Sequence, residues 1–560
     1  MIILYPINTH SGISGITNMD KSHARLCRQG CFAFTRRAGA YTLISMAAFS
    51  RSKALFHKEI CAMGEVKRLK YCIDGEWLES KAERYMPITD SSTGELIAEA
   101  PCCTKEEAEA AIESADRAFP AWSSLSLSKR QQYMFTWRDV LVRHKEELSL
   151  LCAKELGKTI GEARGDVQKA IEPTELACSL PALIQGDASM NVTTGYDSTS
   201  YRFPLGVVAG IVPMNFPAMI PWGWMVPLAI ATGNTVVLKA NSQTPLTSIR
   251  ILELFYEEAG FPKGVVNLVT CGRQEAEIFL TDPRIKAVTF VGTYSIAAEH
   301  GKRVQAQTEA KNHALLLEDA DLESATNAII NSTYGCAGMR CMALPVICVQ
   351  ESIADRFVSL LKEKAQAMKV GCAYEEDTRL GPVVSAAHQK SVCDWIQKGI
   401  DEGAKLILDG RNCKVPGYEN GFFVGPTILD HVTAEMSVGD CEIFGPVTCI
   451  KRVRDYEEGI RIMNRNPFAN GSAIFTQSGY YSRRFVMDTD GGMVGINVGI
   501  PVPTAYFPFS GNKDSFFGDL HVLGKDGVRF YTRAKTVTTH WFDEKSAKRE
   551  VGTWEGSTEI

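Results

Sequence analysis

Between residues 205 and 291, short apolar runs alternate with longer amphipathic segments, and this alternation limits the possible folds more than any other feature of the chain. It predicts strands at 205–212, 234–239, 264–269 and 286–291, helices at 217–231 and 245–259, and a helical stretch near 274–280. Strands separated by helices are joined by right-handed crossovers, so they form a parallel sheet of the α/β class. Such a sheet binds its ligand beyond the carboxyl ends of its strands. Pro213 to Asn215, Lys239 and Gly292 all fall at such ends. Upstream, Thr104 and Glu107 form a Thr-x-x-Glu box that starts a helix running to Ala118, and a second helical region spans 129–156 before Gly157. A second alternating region follows over 314–516.

At 560 residues and 45% hydrophobic content, the chain can bury more than one core. A net charge of −5 offers no basic surplus for nucleic acid or an anionic membrane. Residues 206–233 are almost continuously apolar, but Pro213, Pro217, Pro221 and Pro227 would repeatedly break a membrane helix, so the run is a buried strand leading into a buried helix. The 17 cysteines lack the spacing of a disulfide framework or a metal site, which suits a reducing compartment. Residues 1–60 carry eight Lys or Arg against only Asp20 and Glu59, the composition of a mitochondrial transit peptide. Met19 is an alternative start, and if the extension is an artefact of the gene model a cytoplasmic address follows instead.

The run Gly335-Cys336-Ala337-Gly338-Met339-Arg340-Cys341-Met342-Ala343 presents a cysteine on a small-residue turn beside an arginine. A thiol there is expected to be unhindered and biased toward thiolate. A cysteine in isolation is more often a buried small hydrophobe. Its neighbours in sequence change the reading: Val208-Ala209-Gly210-Ile211-Val212-Pro213-Met214-Asn215-Phe216-Pro217, Asn234-Thr235-Val236-Val237-Leu238-Lys239, Phe290-Val291-Gly292-Thr293 and Glu442-Ile443-Phe444-Gly445-Pro446-Val447.

In this order and spacing the chain resembles the aldehyde dehydrogenase superfamily from about Tyr71 to Phe542. Ala310-Lys311-Asn312-His313, Arg340-Cys341-Met342-Ala343, Gly417-Tyr418-Glu419-Asn420-Gly421 and Phe509-Ser510-Gly511-Asn512-Lys513 are similar to its CoA-acylating, methylmalonate-semialdehyde branch. The resemblance implies a Rossmann-type NAD-binding domain (67–195 and 207–309) and an α/β catalytic domain (310–516). It also implies a small β oligomerisation element (196–206 and 525–545), whose late strand pairs with a neighbouring subunit in a homo-oligomer, after a transit-like extension over 1–66.

The same resemblance implies residue roles. Cys341 is the nucleophile that carries a thioester, and Asn215 donates to the oxyanion; taken alone, Asn215 reads equally well as the N-cap of a helix starting near Phe216. Lys239 meets the adenosine ribose and Glu442 the nicotinamide ribose of NAD, with Val212, Met214, Ser242, Gln243, Thr293, Thr308 and Phe444 completing the cofactor site. Arg340 and Arg130 supply guanidinium forks for a substrate carboxylate, although Arg130 also reads as an ordinary exposed helix charge. Hydrolytic relatives carry a glutamate base 34 residues before the cysteine; here that position is Gln307, so the thioester should persist until CoA attacks it.

Four departures cluster around the cofactor. Ser242 replaces an acidic residue, which removes the repulsion that excludes a 2′-phosphate. The chain is short between Gly292 and Gln307, Glu309 replaces a glycine beside the nicotinamide, and one extra residue lies within Pro221-Trp222-Gly223-Trp224. That extra residue would rotate later helix positions by about 100°. Two further readings follow: a catalytically impaired homologue acting as a binding or assembly subunit, and an NAD(P)-dependent dehydrogenase of another aldehyde.

Overall fold

The computed structural model describes residues 66–292 and 301–541. The transit-like extension, Thr293 and the first part of the short segment after Gly292 therefore lie outside the described residues. The Thr104 box forms as expected: its hydroxyl accepts from Glu107 N at 3.3 Å while Glu107 Oε2 accepts from Thr104 N at 2.9 Å, opening α1 (Lys105–Ser123). The next helical region divides into α2 (Leu127–Arg143) and α3 (Lys145–Leu156) at His144, with no glycine or proline to mark the break. Gly157 ends α3 in the left-handed conformation, and α4 (Ile160–Cys178) follows from a second capping box, Thr159 with Glu162.

The first sheet has eight strands. Its parallel centre contains β1 (Val207–Ile211), β2 (Thr235–Lys239), β3 (Val266–Val269), β4 (Ile285–Val291) and β5 (Arg303–Gln307), in the order β5-β4-β1-β2-β3. Strand order reverses between β1 and β4, the switch point at which open α/β sheets take their ligand. In register, Ile211 lies between Phe290 and Lys239, so the loops after β1, β2 and β4 leave the sheet at one level.

Between β1 and β2 the helix does not start at 217. Ile220–Met225 is a π-helical turn, and ordinary α-helix resumes over Val226–Ala231. A π turn holds one residue more than the α-helical path, so the insertion at 221–224 is absorbed locally and the expected rotation does not propagate.

The second sheet has seven strands. Its parallel part contains β6 (His313–Leu316), β7 (Val346–Gln350), β8 (Thr427–Asp430), β9 (Val447–Val453), β10 (Gly471–Phe475) and β11 (Met493–Ile496), ordered β8-β9-β7-β6-β10-β11. The chain then returns to the first sheet, where Phe516–Phe517 pairs antiparallel with β5 as its edge strand.

The small sheet has three strands. Its hairpin is Ala188–Thr193 with Tyr196–Pro204, so it begins before 196. The late strand is Thr532–His540, after a short helix over Gly524–Phe530, and it pairs along its whole length with Tyr196–Pro204 of its own chain. No helix among the described residues is long and apolar enough to cross a membrane.

Candidate active site

The nucleophile loop joins α5 (Leu322–Tyr334) to β7. It turns sharply because Cys336 and Ala337 both take left-handed conformations, with φ of 50° and 51°. Gly338 follows at φ 75°, and a Cβ there would lie 2.1 Å from Gly445 O, so only glycine lets this loop meet the Glu442–Gly445 turn. Cys341, Arg340, Asn312, Ala310, Glu442 and Phe444 line one cavity at that meeting.

Arg340 lies flat under the loop. It donates from Nε to Cys336 Sγ at 3.2 Å, from Nη1 to Asn331 O at 3.1 Å, and from Nη2 to Glu162 Oε1 at 3.1 Å. Glu162 Oε1 also accepts from Cys336 N at 2.7 Å, so one carboxylate fixes both the loop and the arginine. A guanidinium has five N–H groups. Each terminal nitrogen of Arg340 therefore keeps one N–H outside these bonds.

The expected bias of Cys341 toward thiolate does not hold. Burial pushes its thiol up to about 12 and Glu442 adds to the effect, while the N–H groups of Cys341 and Met342 and the Arg340 charge act the other way without overcoming it. At neutral pH Cys341 rests as a thiol.

Asn215 is buried on the loop after β1 and donates from Nδ2 to Met339 O at 3.2 Å, across to the nucleophile loop. It does not cap a helix, because the helix begins later, with Ile220 N bonded to Phe216 O. A fully buried ion pair holds this loop. Lys158 Nζ lies 2.9 Å from both Asp166 Oδ2 and Asn215 O, and 3.8 Å from the centre of the Phe216 ring. The other Asp166 oxygen accepts from Met219 N at 2.7 Å. Burial alone would discharge Lys158, but Asp166 keeps it charged, above the usual ammonium range.

Arg130 requires a correction. It is buried, and its guanidinium donates to Ser123 O at 3.1 Å, Leu125 O at 2.5 Å and Ala231 O at 2.9 Å. These are carbonyls at or just beyond helix ends, where a cation completes the last turn. Arg130 is a structural cap and does not reach the cavity.

Of the residues expected to hold NAD, Val212, Met214, Lys239, Ser242 and Gln243 lie at or after the ends of β1 and β2, Thr308 follows β5, Glu442 and Phe444 line the Cys341 cavity, and Thr293 is not described. Val212 N bonds to Lys239 O at 3.1 Å, Met214 O accepts from Thr244 Oγ1 at 2.9 Å, and Gln243 N bonds to Asn241 Oδ1 at 2.9 Å beside Ser242. The half-buried Lys239 ammonium has no hydrogen-bond or ion-pair partner among the described residues, and burial lowers its pKa. An unpaired ammonium at this edge fits ribose hydroxyls. Thr308 is held through its N–H to Ser515 O at 3.0 Å and its hydroxyl to Asp514 O. Phe444 sits at φ 59°, its carbonyl accepting from His388 Nε2 at 2.8 Å. Burial raises the Glu442 carboxyl to about 7; Ala310 N, 3.3 Å away, and Lys311 oppose this, and Glu309 adds to it. Gln307 donates to Phe509 O at 3.3 Å, and its buried Oε1 has no partner among the described residues.

The profile of the aldehyde dehydrogenase family matches residues 77–537. The chain belongs to this family. A malonate-semialdehyde dehydrogenase of Bacillus cytotoxicus is 46% identical over 485 residues, covering 85% of this chain and 99% of that protein. A second such enzyme, from Oceanobacillus iheyensis, is 46% identical over 483 residues, with the same coverage of each chain. Among solved structures, the methylmalonate-semialdehyde dehydrogenase of Oceanimonas doudoroffii superposes with a TM-score of 0.83 at 40% identity, covering 86% of this chain and all of its own. An NAD complex from Sinorhizobium meliloti, assigned to the same activity, gives a TM-score of 0.84 at 38% identity, covering 86% of this chain and 99% of that one.

Sequence reasoning missed Glu162, Lys158 and Asp166. The Thr159-x-x-Glu162 capping box was a legible signal for the first; the buried pair had none beyond opposite charges two turns apart on either side of that box.

Proposed function

We propose that this aldehyde dehydrogenase oxidises malonate and methylmalonate semialdehydes with NAD and passes the acyl group to CoA, giving acetyl-CoA or propionyl-CoA and carbon dioxide. The observation that carries this reading is the cavity itself, lined by Cys341, Arg340 and Glu442; beside it stands the sequence position 34 residues before Cys341, where Gln307 offers an amide in place of a water-activating base. The names of the relatives support the substrate class.

The aldehyde carboxylate docks on Arg340 and brings its carbonyl carbon to Cys341 Sγ. As sulfur attacks, its proton passing to solvent water, charge collects on the carbonyl oxygen, where the Asn215 amide and the Cys341 N–H donate to it. Lys239 and Glu442 would hold NAD at its two riboses, and the bound cofactor would supply the hydride acceptor needed for a thioester to form on Cys341. Gln307 accepts no proton from water, so the thioester survives until the CoA thiol displaces Cys341. The carboxylate β to the thioester carbonyl leaves as carbon dioxide, its electron pair delocalised into that carbonyl. The basic, acid-poor residues 1–60 support mitochondrial delivery, and exposed Met190, Val192, Tyr201 and Phe203 on the small sheet support self-association.

Incubation of the purified chain with either semialdehyde and NAD is expected to yield NADH beyond one equivalent per enzyme only when CoA is present. NADP in place of NAD tests the effect of Ser242. Free acid formed without CoA would contradict the proposal.

Glu442 makes the cofactor site pH-sensitive. Its folded carboxyl keeps a proton up to about 7, above the ordinary value, so its contribution to folding is full in acid and is lost as pH rises through about 7. Only the ionised form offers acceptors on both oxygens. Calorimetric titration should find NAD binding about tenfold tighter at pH 8 than at pH 6, a dependence absent in Glu442→Gln. An equal pH dependence in that variant would remove Glu442 from the cofactor's surroundings.

A further inference from the structure

Three neighbouring parallel strands, β7, β6 and β10, begin at one level: His313 is in register with both Val346 and Ser472. Just before β6 stands Asn312 and just before β10 stands Asn470, while the nucleophile loop leads into β7. The topology thus sets two asparagines, distant in sequence, at the strand starts facing one stretch of loop.

Both side-chain amides converge on the carbonyl of the nucleophile. Asn312 Nδ2 donates to Cys341 O at 2.8 Å and to Ala343 O at 2.8 Å, while its Oδ1 accepts from Gly471 N at 2.8 Å. Asn470 Nδ2 donates to the same Cys341 O at 3.0 Å and touches Met342 Sδ at 3.2 Å. Asn470 is buried, and its Oδ1 has no partner among the described residues. A buried amide that leaves its acceptor unsatisfied in order to donate to one carbonyl is costly for stability alone.

The carbonyl of Cys341 and the N–H of Met342 belong to one planar peptide unit. Fixing the oxygen therefore fixes the hydrogen, and this N–H is one of two backbone donors that face Cys341 Sγ. Two donors on the oxygen also polarise the unit and strengthen its N–H as a donor.

We propose that Asn470, together with Asn312, is a positioning residue that aims the Cys341–Met342 peptide at the nucleophile's sulfur and so stabilises its anionic form. This rests on Cys341 being the reacting thiol. Asn312 also ties Ala343 and β10, so substituting it would disturb folding; Asn470 is the cleaner probe.

The test follows alkylation of Cys341 by iodoacetamide across pH, read by mass spectrometry on the peptide that contains it, in the full-length chain. In Asn470→Leu the alkylation profile should move about one unit to higher pH, a tenfold loss of rate at any pH below the transition. kcat should fall by a similar factor while the KM for NAD stays put. Asn470→Ser, which keeps a donor and is small enough to fold if the leucine variant does not, should recover part of the shift. Profiles of a folded variant that superpose on the wild type, with only thermal stability reduced, would overturn the proposal. Alkylation needs no turnover, so this failure is distinct from failure of the functional reading, which persistence of activity in Cys341→Ala would reveal.

Discussion

Replacing Cys341 by alanine is expected to abolish CoA-dependent NADH formation, a loss of about 10⁴-fold or more, because the covalent route has no other nucleophile in the cavity. Two neighbouring thiols serve as controls. Cys336 is buried in a left-handed turn, its sulfur held by Arg340 Nε, and it does not line the cavity. Cys441 is exposed beside Glu442, on the outer side of the same turn. Cys336→Ala should lower turnover only through a looser Arg340, by about tenfold or less, since it removes one hydrogen-bond partner of a charged group. Cys441→Ala should leave turnover unchanged. Stopped-flow measurement of NADH appearance distinguishes the three. A Cys341→Ala enzyme that retains activity, or a Cys441→Ala enzyme that loses it, would assign the wrong sulfur.

The parts of the fold legible in sequence were those fixed by local chemistry. Strands β1 and β2 are almost wholly buried, so each is a nearly continuous apolar run that ends near Pro213 or at Lys239. Thr104 with Glu107 and Gly157 announce helix ends through hydrogen bonds between near neighbours. The pairing of Thr532–His540 was not legible in this way. A strand's pattern states which face is apolar but not which strand lies beside it, and here one edge pairs with Tyr196–Pro204, far away in sequence.

Arg130 shows why a charge is hard to place from sequence. Its position on α2 is visible, but whether the side chain reaches a ligand or turns back to bind carbonyls depends on where α1 and the helix over Val226–Ala231 end. Arg340 stands next to Cys341 in sequence, yet its bond to Glu162 was not visible, because 178 residues separate the two. The same distance effect hid Asn470, which meets Cys341 only once β10 is laid beside β6. The extra residue at 221–224 was seen, but the π turn that contains it is a property of the packed helix, not of the residue types.

The buried pair beneath the oxyanion loop carries the second large expected effect. Lys158 and Asp166 are both without solvent exposure, and each also serves the backbone, Lys158 at Asn215 O and Asp166 at Met219 N. Lys158→Met removes the cation and leaves a carboxylate in an apolar setting, which should cost about 3–5 kcal/mol of stability. Asp166→Asn in addition removes the stranded charge, so the double variant should recover a substantial part of that loss. It should not recover turnover, because Asn215 O still lacks its ammonium and the Asn215 amide loses its fixed aim at the cavity; loss of an oxyanion donor costs roughly 100- to 1000-fold in rate. Urea denaturation followed by tryptophan fluorescence reads the first effect and kcat the second. Recovery of stability without recovery of kcat separates the two duties of the pair, holding charge balance in the core and aiming the loop. If the double variant regained both together, Lys158 would serve stability alone and the Asn215 loop would be aimed by its other contacts, Thr244 at Met214 O and Ser248 at Pro217 O.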